Sequence, residues 1–422
     1  MIHSVKGMRD ILPPSSAVWN HVEAVARKIF ARFHYHEIRT PVLEETALFA
    51  RSVGEETDIV SKEMYTFADR DGTSLTLRPE NTASVMRAYL EHRLDQRAGI
   101  QKLYYMGPMF RRERPQKGRF RQFYQIGAEA IGSESPAVDA EVIELVVTIL
   151  RELGVRDFEL QINSVGSKES RARYTKVLRA QLQEIAPELC ANCRRRAETN
   201  PLRVLDCKVP EDQPKIEQLP SILDYLTEED AAHFRRVRDF LDDRQIDYVV
   251  RPRLVRGLDY YARTTFEITH GALGAQNAIL GGGRYDGLAE TLGSKIPAPG
   301  IGFSIGEDRL VMTVEESQTV EAGRLDLYMA PMGELALRHC ATLAQEIRAL
   351  GRSVEVGFEG KLKRMLELAN KMGARYALIV GDNEIVTQTY TLRDMVSGEQ
   401  TTLSRQGVLE RFSRLGEGEH GK

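Results

Sequence analysis

Cysteine is scarce, with four in 422 residues. So few thiols in so long a chain make no disulfide framework, which fits the cytoplasm. Tryptophan occurs once and aromatic residues make up only 7%. No run of about 18 apolar residues is present, so no membrane span is expected. The opening MIHSVKGMRDILPP has no apolar stretch of the signal-peptide kind. Neither sign of charge dominates, and the formal net charge is −3. Overall charge therefore announces no nucleic-acid partner, although local basic loops remain open to one. Internal repeats and low-complexity tracts are absent as well.

What is present is an ordinary globular composition, 42% apolar and 28% charged. A chain of this length exceeds one compact core, so two or three domains are expected. The stretch from Tyr104 to Ile131 reads as two strands joined by a basic loop. That loop, Arg111 to Arg119, holds five cations in nine residues, with Pro115 and Gly118 to end strand pairing. Strand alternation puts Arg121, Phe123, Gln125, Gly127 and Glu129 on one face. Tyr124, Ile126 and Ala128 fall on the other, the expected core side. A face of Gln, Gly and Glu is not a core face. The glycine clears space, and a small polar ligand fits across it. The alternative is a hairpin with a solvated, charged tip.

Before this hairpin, Ser15 or Ser16 is a candidate cap for a helix carrying Val18, Val22, Ala26 and Ile29 at helical spacing. His36 to Leu43 reads as a strand interrupted by Pro41, and therefore an edge. Glu44 to Val53 reads as helix. Glu63–Phe67 and Ser74–Arg78 form a hairpin around Asp71-Gly72, and a helix follows from about Ala83 to Glu91. After the hairpin come a helix, Glu141 to Leu153, and a strand, Asp157 to Asn163. From about Ser167 to Tyr248 the pattern is helical and charged and reads as an inserted module. Strands resume at Tyr248–Val250 and Thr264–Ile268, before a glycine-dense region from Gly271 to Gly306. Glu315 to Gly323 reads as a linker. Beyond it, strand and helix alternate through Leu325–Met329, Glu334–Leu350, Val354–Val356, Lys361–Met372 and Tyr376–Val380. Gly351, Gly373 and Gly381 punctuate these elements as an α/β domain requires.

Four short segments carry chemistry. Glu80 and Thr82, in LRPENT, put a carboxylate and a hydroxyl close together, suited either to an ammonium group or to a helix cap. LVRGLDYY brings Arg256, Gly257, Tyr260 and Tyr261 together, able to meet a phosphate and orient a ring. GGGRYDGL, from Gly281, lets backbone approach a ligand closely. It has neither Walker nor dinucleotide spacing. GIGFSIGEDRL, from Gly300, reads as a strand running into a helix. Arg309 sits in the first helical turn, where anions are favoured.

Taken in order, these segments resemble the class II aminoacyl-tRNA synthetases, and are similar among them to the bacterial histidyl-tRNA synthetases. FRRERPQKGRFRQFYQIGAE resembles motif 2 of the class and GIGFSIGEDRL motif 3. Thr40-Pro41 falls where motif 1 builds a dimer interface. LVRGLDYY and GGGRYDGL resemble peptides of the histidyl enzymes. Asn81 stands where the family often has glycine.

The resemblance implies an α+β catalytic domain, residues 1–324, with a mostly antiparallel sheet flanked by helices. It implies an inserted helical module at about 167–248 and a C-terminal α/β anticodon-binding domain, 325–422. It implies a cytoplasmic homodimer that joins L-histidine to tRNA(His) through histidyl-adenylate, using ATP with Mg²⁺. Arg111 would hold the ATP α-phosphate and the histidine carboxylate. Arg309 would hold the γ-phosphate with Arg119. Glu80, Thr82 and Gln125 would bind the α-amino group. Glu129 and Tyr261 would read the imidazole, with Tyr260 lining the pocket. Arg256 would stand over the reacting phosphate as a fixed charge. The rival expectation is a non-catalytic relative that regulates histidine biosynthesis. Such proteins usually lack the last domain and lose motif residues, and this chain keeps both.

Cys190 and Cys193, followed by Cys207, have the spacing of an incomplete zinc site. A fourth ligand, His233 or Asp206, would be needed. The expectation is reduced structural thiols and no metal.

Overall fold

The computed structural model describes residues 2–54, 57, 59–271, 277–317, 324–358 and 360–415. The chain divides into two compact units, 1–320 and 321–422.

In the first unit, α1 (Ser15–Arg32) buries Val18, Trp19, Val22, Ala26, Ile29 and Phe30. Its N-cap is Pro14, not a serine. Ser15 is already helical, and its hydroxyl donates to Glu315 at 3.0 Å. The proline-bearing segment splits into β1 (His36–Glu37) and β2 (Leu43–Glu45), because Pro41 has no N–H for a ladder. α2 (Thr46–Val53) begins later than expected, since Glu44 and Glu45 pair with Thr76 and Leu75. β3 (Tyr65–Ala68) and β4 (Ser74–Leu77) form the expected hairpin, and β2 completes a three-stranded sheet. There follow α3 (Thr82–Glu91), β5 (Gln101–Phe110), β6 (Gln122–Ile131), α4 (Pro136–Glu152) and β7 (Phe158–Ser164).

The insertion holds α5 (Lys168–Ile185), α6 (Ala191–Thr199) and α7 (Gln213–Ile216), and α8 (Glu228–Asp243) comes next. The unit ends with β8 (Val249–Val250), β9 (Ala262–His270), β10 (Ala278–Arg284), α9 (Leu288–Thr291), β11 (Gly300–Gly306) and α10 (Glu307–Ser317). The expected linker overlaps the end of α10 at Glu315. Its remainder from 318 lies outside the described residues, as do residues 272–276 of the glycine-dense region.

Eight strands form one sheet in the order β1-β5-β6-β11-β10-β9-β7-β8. Pairing is antiparallel from β5 to β7, and only the outermost strands, β1 and β8, pair parallel. On one face Ile126, Ala128, Phe266 and Phe303 pack against α1, α4, α8 and α10. Tyr174, Leu178, Leu182, Leu189 and Ile222 form a separate core within the insertion. The sequence pattern groups α8 with that module, yet Phe234, Val237 and Leu241 enter the core of the sheet. Its apolar stripe finds a larger apolar surface there than the small module offers.

The second unit runs β12 (Leu327–Pro331), α11 (Glu334–Ala349), β13 (Val354–Val356), α12 (Leu362–Lys371) and β14 (Tyr376–Val380), as the alternation predicts. It continues through α13 (Asp382–Thr387), β15 (Thr389–Asp394), β16 (Gln400–Ser404) and α14 (Arg405–Arg414), a hairpin and two helices that the sequence reading leaves unassigned. The sheet order is β13-β12-β14-β15-β16, parallel in its first three strands and antiparallel in the last two pairings. α11 and α14 cover one face through Cys340, Leu343, Val408 and Phe412, and α12 packs on the other through Met365 and Ala369.

Candidate active site

The face of the large sheet opposite α1, α4, α8 and α10 carries Gln125 and Glu129 on β6, as alternation requires. Nine of the ten site residues named from the sequence line one cleft there, of about 1010 Å³. The tenth, Glu129, is only 1% exposed and lies one layer below. It is covered by side chains that do line the cleft. Tyr285 donates to it at 2.6 Å, Thr82 at 2.8 Å and Tyr105 at 3.4 Å. Burial pushes the Glu129 carboxyl up to about 8, against the pull of the Tyr285 and Thr82 hydroxyls. Gly302 faces Glu129 across the β6–β11 ladder, and a Cβ there would meet a Glu129 carboxylate oxygen at 1.7 Å.

Glu80 resolves the two uses its sequence context left open. Its carboxylate accepts from the backbone N–H of Thr82 at 2.7 Å and of Ala83 at 3.0 Å, so it caps α3. It also faces the cleft, and each oxygen keeps a lone pair for a cation. Burial raises its pKa and those backbone N–H bonds oppose the rise. In the same cleft the side-chain oxygen of Gln125 is buried with no hydrogen-bond partner. Asn81, between Glu80 and Thr82, turns elsewhere. Its side-chain oxygen accepts from Thr40 at 2.6 Å and Arg78 at 3.4 Å. Tyr260 packs between Tyr261, tilted with ring centroids 4.8 Å apart, and Tyr285, edge-on at 5.9 Å.

Eight arginines line the same cleft, and four of them are those named from the sequence. Arg111 donates to the Pro79 carbonyl at 2.9 Å and lies 5.2 Å from the Phe123 ring, a cation–π distance. Arg119 pairs with Glu113 at 3.0 Å. Arg309 donates to the carbonyls of Ala278 at 2.6 Å and Gly118 at 3.2 Å. Burial, together with the positive Arg119 and Arg111, holds the Arg309 pKa below its ordinary value. An anion between these groups would relieve that repulsion. Arg256 pairs with Glu267, and its Nε is buried without a partner.

Two glycine readings need correction. Gly127 opens room for a protein side chain, not for a ligand, since a Cβ there would meet the Tyr105 hydroxyl at 2.4 Å. Gly281 does the same for Arg256, whose Nη2 would lie 1.9 Å from an added Cβ. Sequence reasoning missed Tyr105, Tyr285, Glu113 and Glu267 on the cleft wall. Strand alternation puts Tyr105 on the cleft face, and Tyr285 stands inside GGGRYDGL. It also missed Arg284, which pairs with Asp139 at 2.6 Å with both side chains fully buried. Thr264 donates to the same Asp139 at 2.6 Å. This pair joins β10 to α4.

A mostly antiparallel sheet flanked by helices, with an arginine-lined cleft on the face that also packs α3 and α9, is the catalytic fold of the class II aminoacyl-tRNA synthetases. Residues 7–310 match the family described as Histidyl-tRNA synthetase, and residues 326–415 match Anticodon binding domain. A histidine–tRNA ligase of Solibacter usitatus is 67% identical over 412 residues, covering 98% of this chain and 99% of its own. One from Koribacter versatilis is 54% identical, covering 96% and 94%. The apo histidyl-tRNA synthetase of S. aureus superposes with a TM-score of 0.83 at 37% identity, over 98% of this chain and 100% of its own. The chain belongs to the histidyl-tRNA synthetase family.

Proposed function

We propose that this protein is a histidine–tRNA ligase that activates L-histidine with ATP and transfers it to tRNA(His), and that the cleft residues divide the work as follows. Arg111 grips the histidine carboxylate and the ATP α-phosphate. Arg309, helped by Arg119, takes the γ-phosphate. Arg256 holds a positive charge against the α-phosphate as it reacts. The unpartnered Gln125 oxygen, with Glu80 and Thr82, receives the α-ammonium group. Tyr261 meets the imidazole and Tyr260 walls the pocket. Glu129 acts through the hydroxyls above it. A hydroxyl that donates to Glu129 turns its lone pairs to the cleft, where an imidazole N–H can donate to them.

A carboxylate oxygen of histidine attacks the α-phosphorus in line. The bond to the β-phosphate oxygen breaks, leaving histidyl-adenylate and pyrophosphate. The terminal ribose hydroxyl of the tRNA then attacks the acyl carbon, and AMP leaves. The attacking carboxylate is already ionised, so the first step needs positioning and charge neutralisation. Mg²⁺ brought with ATP would shield phosphate charge. Glu113 and Glu267, both on the cleft wall, are oxygen donors of the kind it takes.

The domains divide at about 324/325, with 325–422 reading the anticodon. The active form is a cytoplasmic homodimer that pairs through the Thr40-Pro41 segment. No helix among the described residues is long and apolar enough to cross a membrane.

One observation carries this reading: the four arginines named from the sequence and a hydroxyl pocket backed by the Glu129 carboxyl converge on one cleft. The full-length identity to ligases and the second family match favour it over a regulatory subunit. Pyrophosphate exchange assayed with each amino acid in turn tests it. Exchange should depend on histidine. Equal exchange with another amino acid overturns the specificity, and none at all favours the regulator.

A further inference from the structure

The insertion gathers three thiols and a carboxylate that aminoacylation does not use. Cys190, Cys193, Cys207 and Asp212 bring one ligand atom each to within 4.8 Å of one another. The Cys190 and Cys207 sulfurs are 4.0 Å apart, and the Cys207 sulfur is 3.2 Å from an Asp212 oxygen. Zinc bonds of about 2.3 Å to sulfur and 2.0–2.2 Å to oxygen separate tetrahedral ligands by roughly 3.5–3.8 Å. The cluster is already close to that size.

Its surroundings suit a cation. Cys193 and Cys207 are buried, and Asp212 is 2% exposed. A buried carboxylate is costly unless hydrogen bonds or a positive charge answer it. The nearby bases are engaged elsewhere, Arg203 and Lys208 with Asp206 and Lys215 with Glu188. The Asp212 oxygens accept instead from the Cys190 backbone N–H at 3.1 and 3.2 Å. Backbone N–H groups also point at two of the sulfurs, Cys193 to Cys190 at 3.5 Å and Val209 to Cys207 at 3.4 Å. Such contacts orient a metal's ligands.

Between the sulfurs lie only α6, of nine residues, and the short turn Pro201–Val204. Cys193 and Cys207 belong to the core of the insertion, so an ion held by them would tie this short segment to that core.

We propose that Cys190, Cys193, Cys207 and Asp212 bind one zinc ion, as three thiolates and a carboxylate, and that this ion holds the insertion together. Binding releases the three thiol protons. This replaces the expectation of free structural thiols. The fourth ligand is neither candidate named from the sequence, because His233 sits 3.6 Å from Asp139 and Asp206 is paired with Arg203 and Lys208. The site also bears on the cleft. Arg203, in the turn between Cys193 and Cys207, donates to the Arg256 carbonyl at 3.0 Å. The ligand set stands whether or not the role given to Arg256 does.

Elemental analysis of the full-length protein, grown with zinc and dialysed against a weak chelator, should find about one zinc per chain. Cys193→Ser and Asp212→Asn should each lose most of it. Cys340→Ser, which alters the buried cysteine of the second unit, should keep it. Cobalt added to zinc-stripped protein should give thiolate-to-cobalt absorption in the near ultraviolet and tetrahedral bands in the visible. That spectrum decides the matter on the unaltered chain if a variant misfolds. A folded chain that holds no zinc and takes up no cobalt overturns the proposal, as does a Cys190–Cys207 disulfide in the purified protein.

Discussion

The first unit buries Glu80, Gln125, Glu129, Asp139, Arg284 and Glu307, whereas no charged, amide or hydroxyl-bearing aliphatic side chain is buried among the described residues of the second. The second unit is held by apolar contacts on both faces of its sheet. Each buried polar group costs about 1–3 kcal/mol unless paired. In the first unit several stay unpaired, and Gln125 Oε1, Ser304 Oγ and Arg256 Nε all belong to cleft-lining residues. Unpaired groups gathered on one cleft mark a site prepared for a polar ligand. One unit therefore gives up stability to hold chemistry in place, and the other folds as a carrier of surface.

Breaking the charge side of this contrast should have the largest effect. Arg256→Ala should cut histidine-dependent pyrophosphate exchange by about 10²–10³-fold, because in the role proposed for it Arg256 supplies a charge felt mainly in the transition state. Near-normal exchange in the folded variant would refute the role.

Removing the second unit separates the two functions. A chain ending before residue 325 should keep exchange within a few-fold while tRNA charging falls on the order of 10²-fold, equivalent to about 2.7 kcal/mol of lost binding. Parallel loss of both activities would mean that the second unit supports the first.

Gly281→Ala is a finer probe. The added Cβ displaces the far end of a flexible arginine and no backbone. Exchange should therefore drop by about tenfold, with the melting temperature nearly unchanged. A large loss of stability instead would show that the glycine serves the fold.

The smallest effect concerns Glu129. Burial raises its carboxyl to about 8, far above a carboxylate in the unfolded chain. Between those values the folded chain holds a proton that the unfolded chain does not. Stability therefore falls as pH rises through that window, and the loss is complete above about 8. Glutamine does not titrate. The melting temperature of Glu129→Gln relative to the parent should thus climb by a few degrees between about pH 5 and about pH 9. A difference that stays constant with pH would show that Glu129 is not so perturbed.

Much of this was legible in the chain itself. The alternation from Gln122 to Ile131 assigns the two faces of β6, because strand geometry depends on nothing beyond the strand. The α/β alternation after Leu325 is local in the same way, as is the break that Pro41 imposes. The motif residues fall on one cleft because each stands at a strand end or helix start that its neighbours define. Other features belong to packing between distant segments. That α8 joins the core of the sheet depends on which apolar surface is larger. That Gly127 and Gly281 make room for Tyr105 and Arg256 depends on what lies across from them. Glu129 lies beneath a layer of hydroxyls contributed by α3, β5 and the segment after β10. Asp212, and not His233 or Asp206, closes the cysteine cluster. The sequence determined periodicity and residue chemistry, which a few neighbours encode. Only the tertiary structure decided which side chain occupies a given space and which acid comes within reach of a ligand, because those distances are set by residues far apart in the chain.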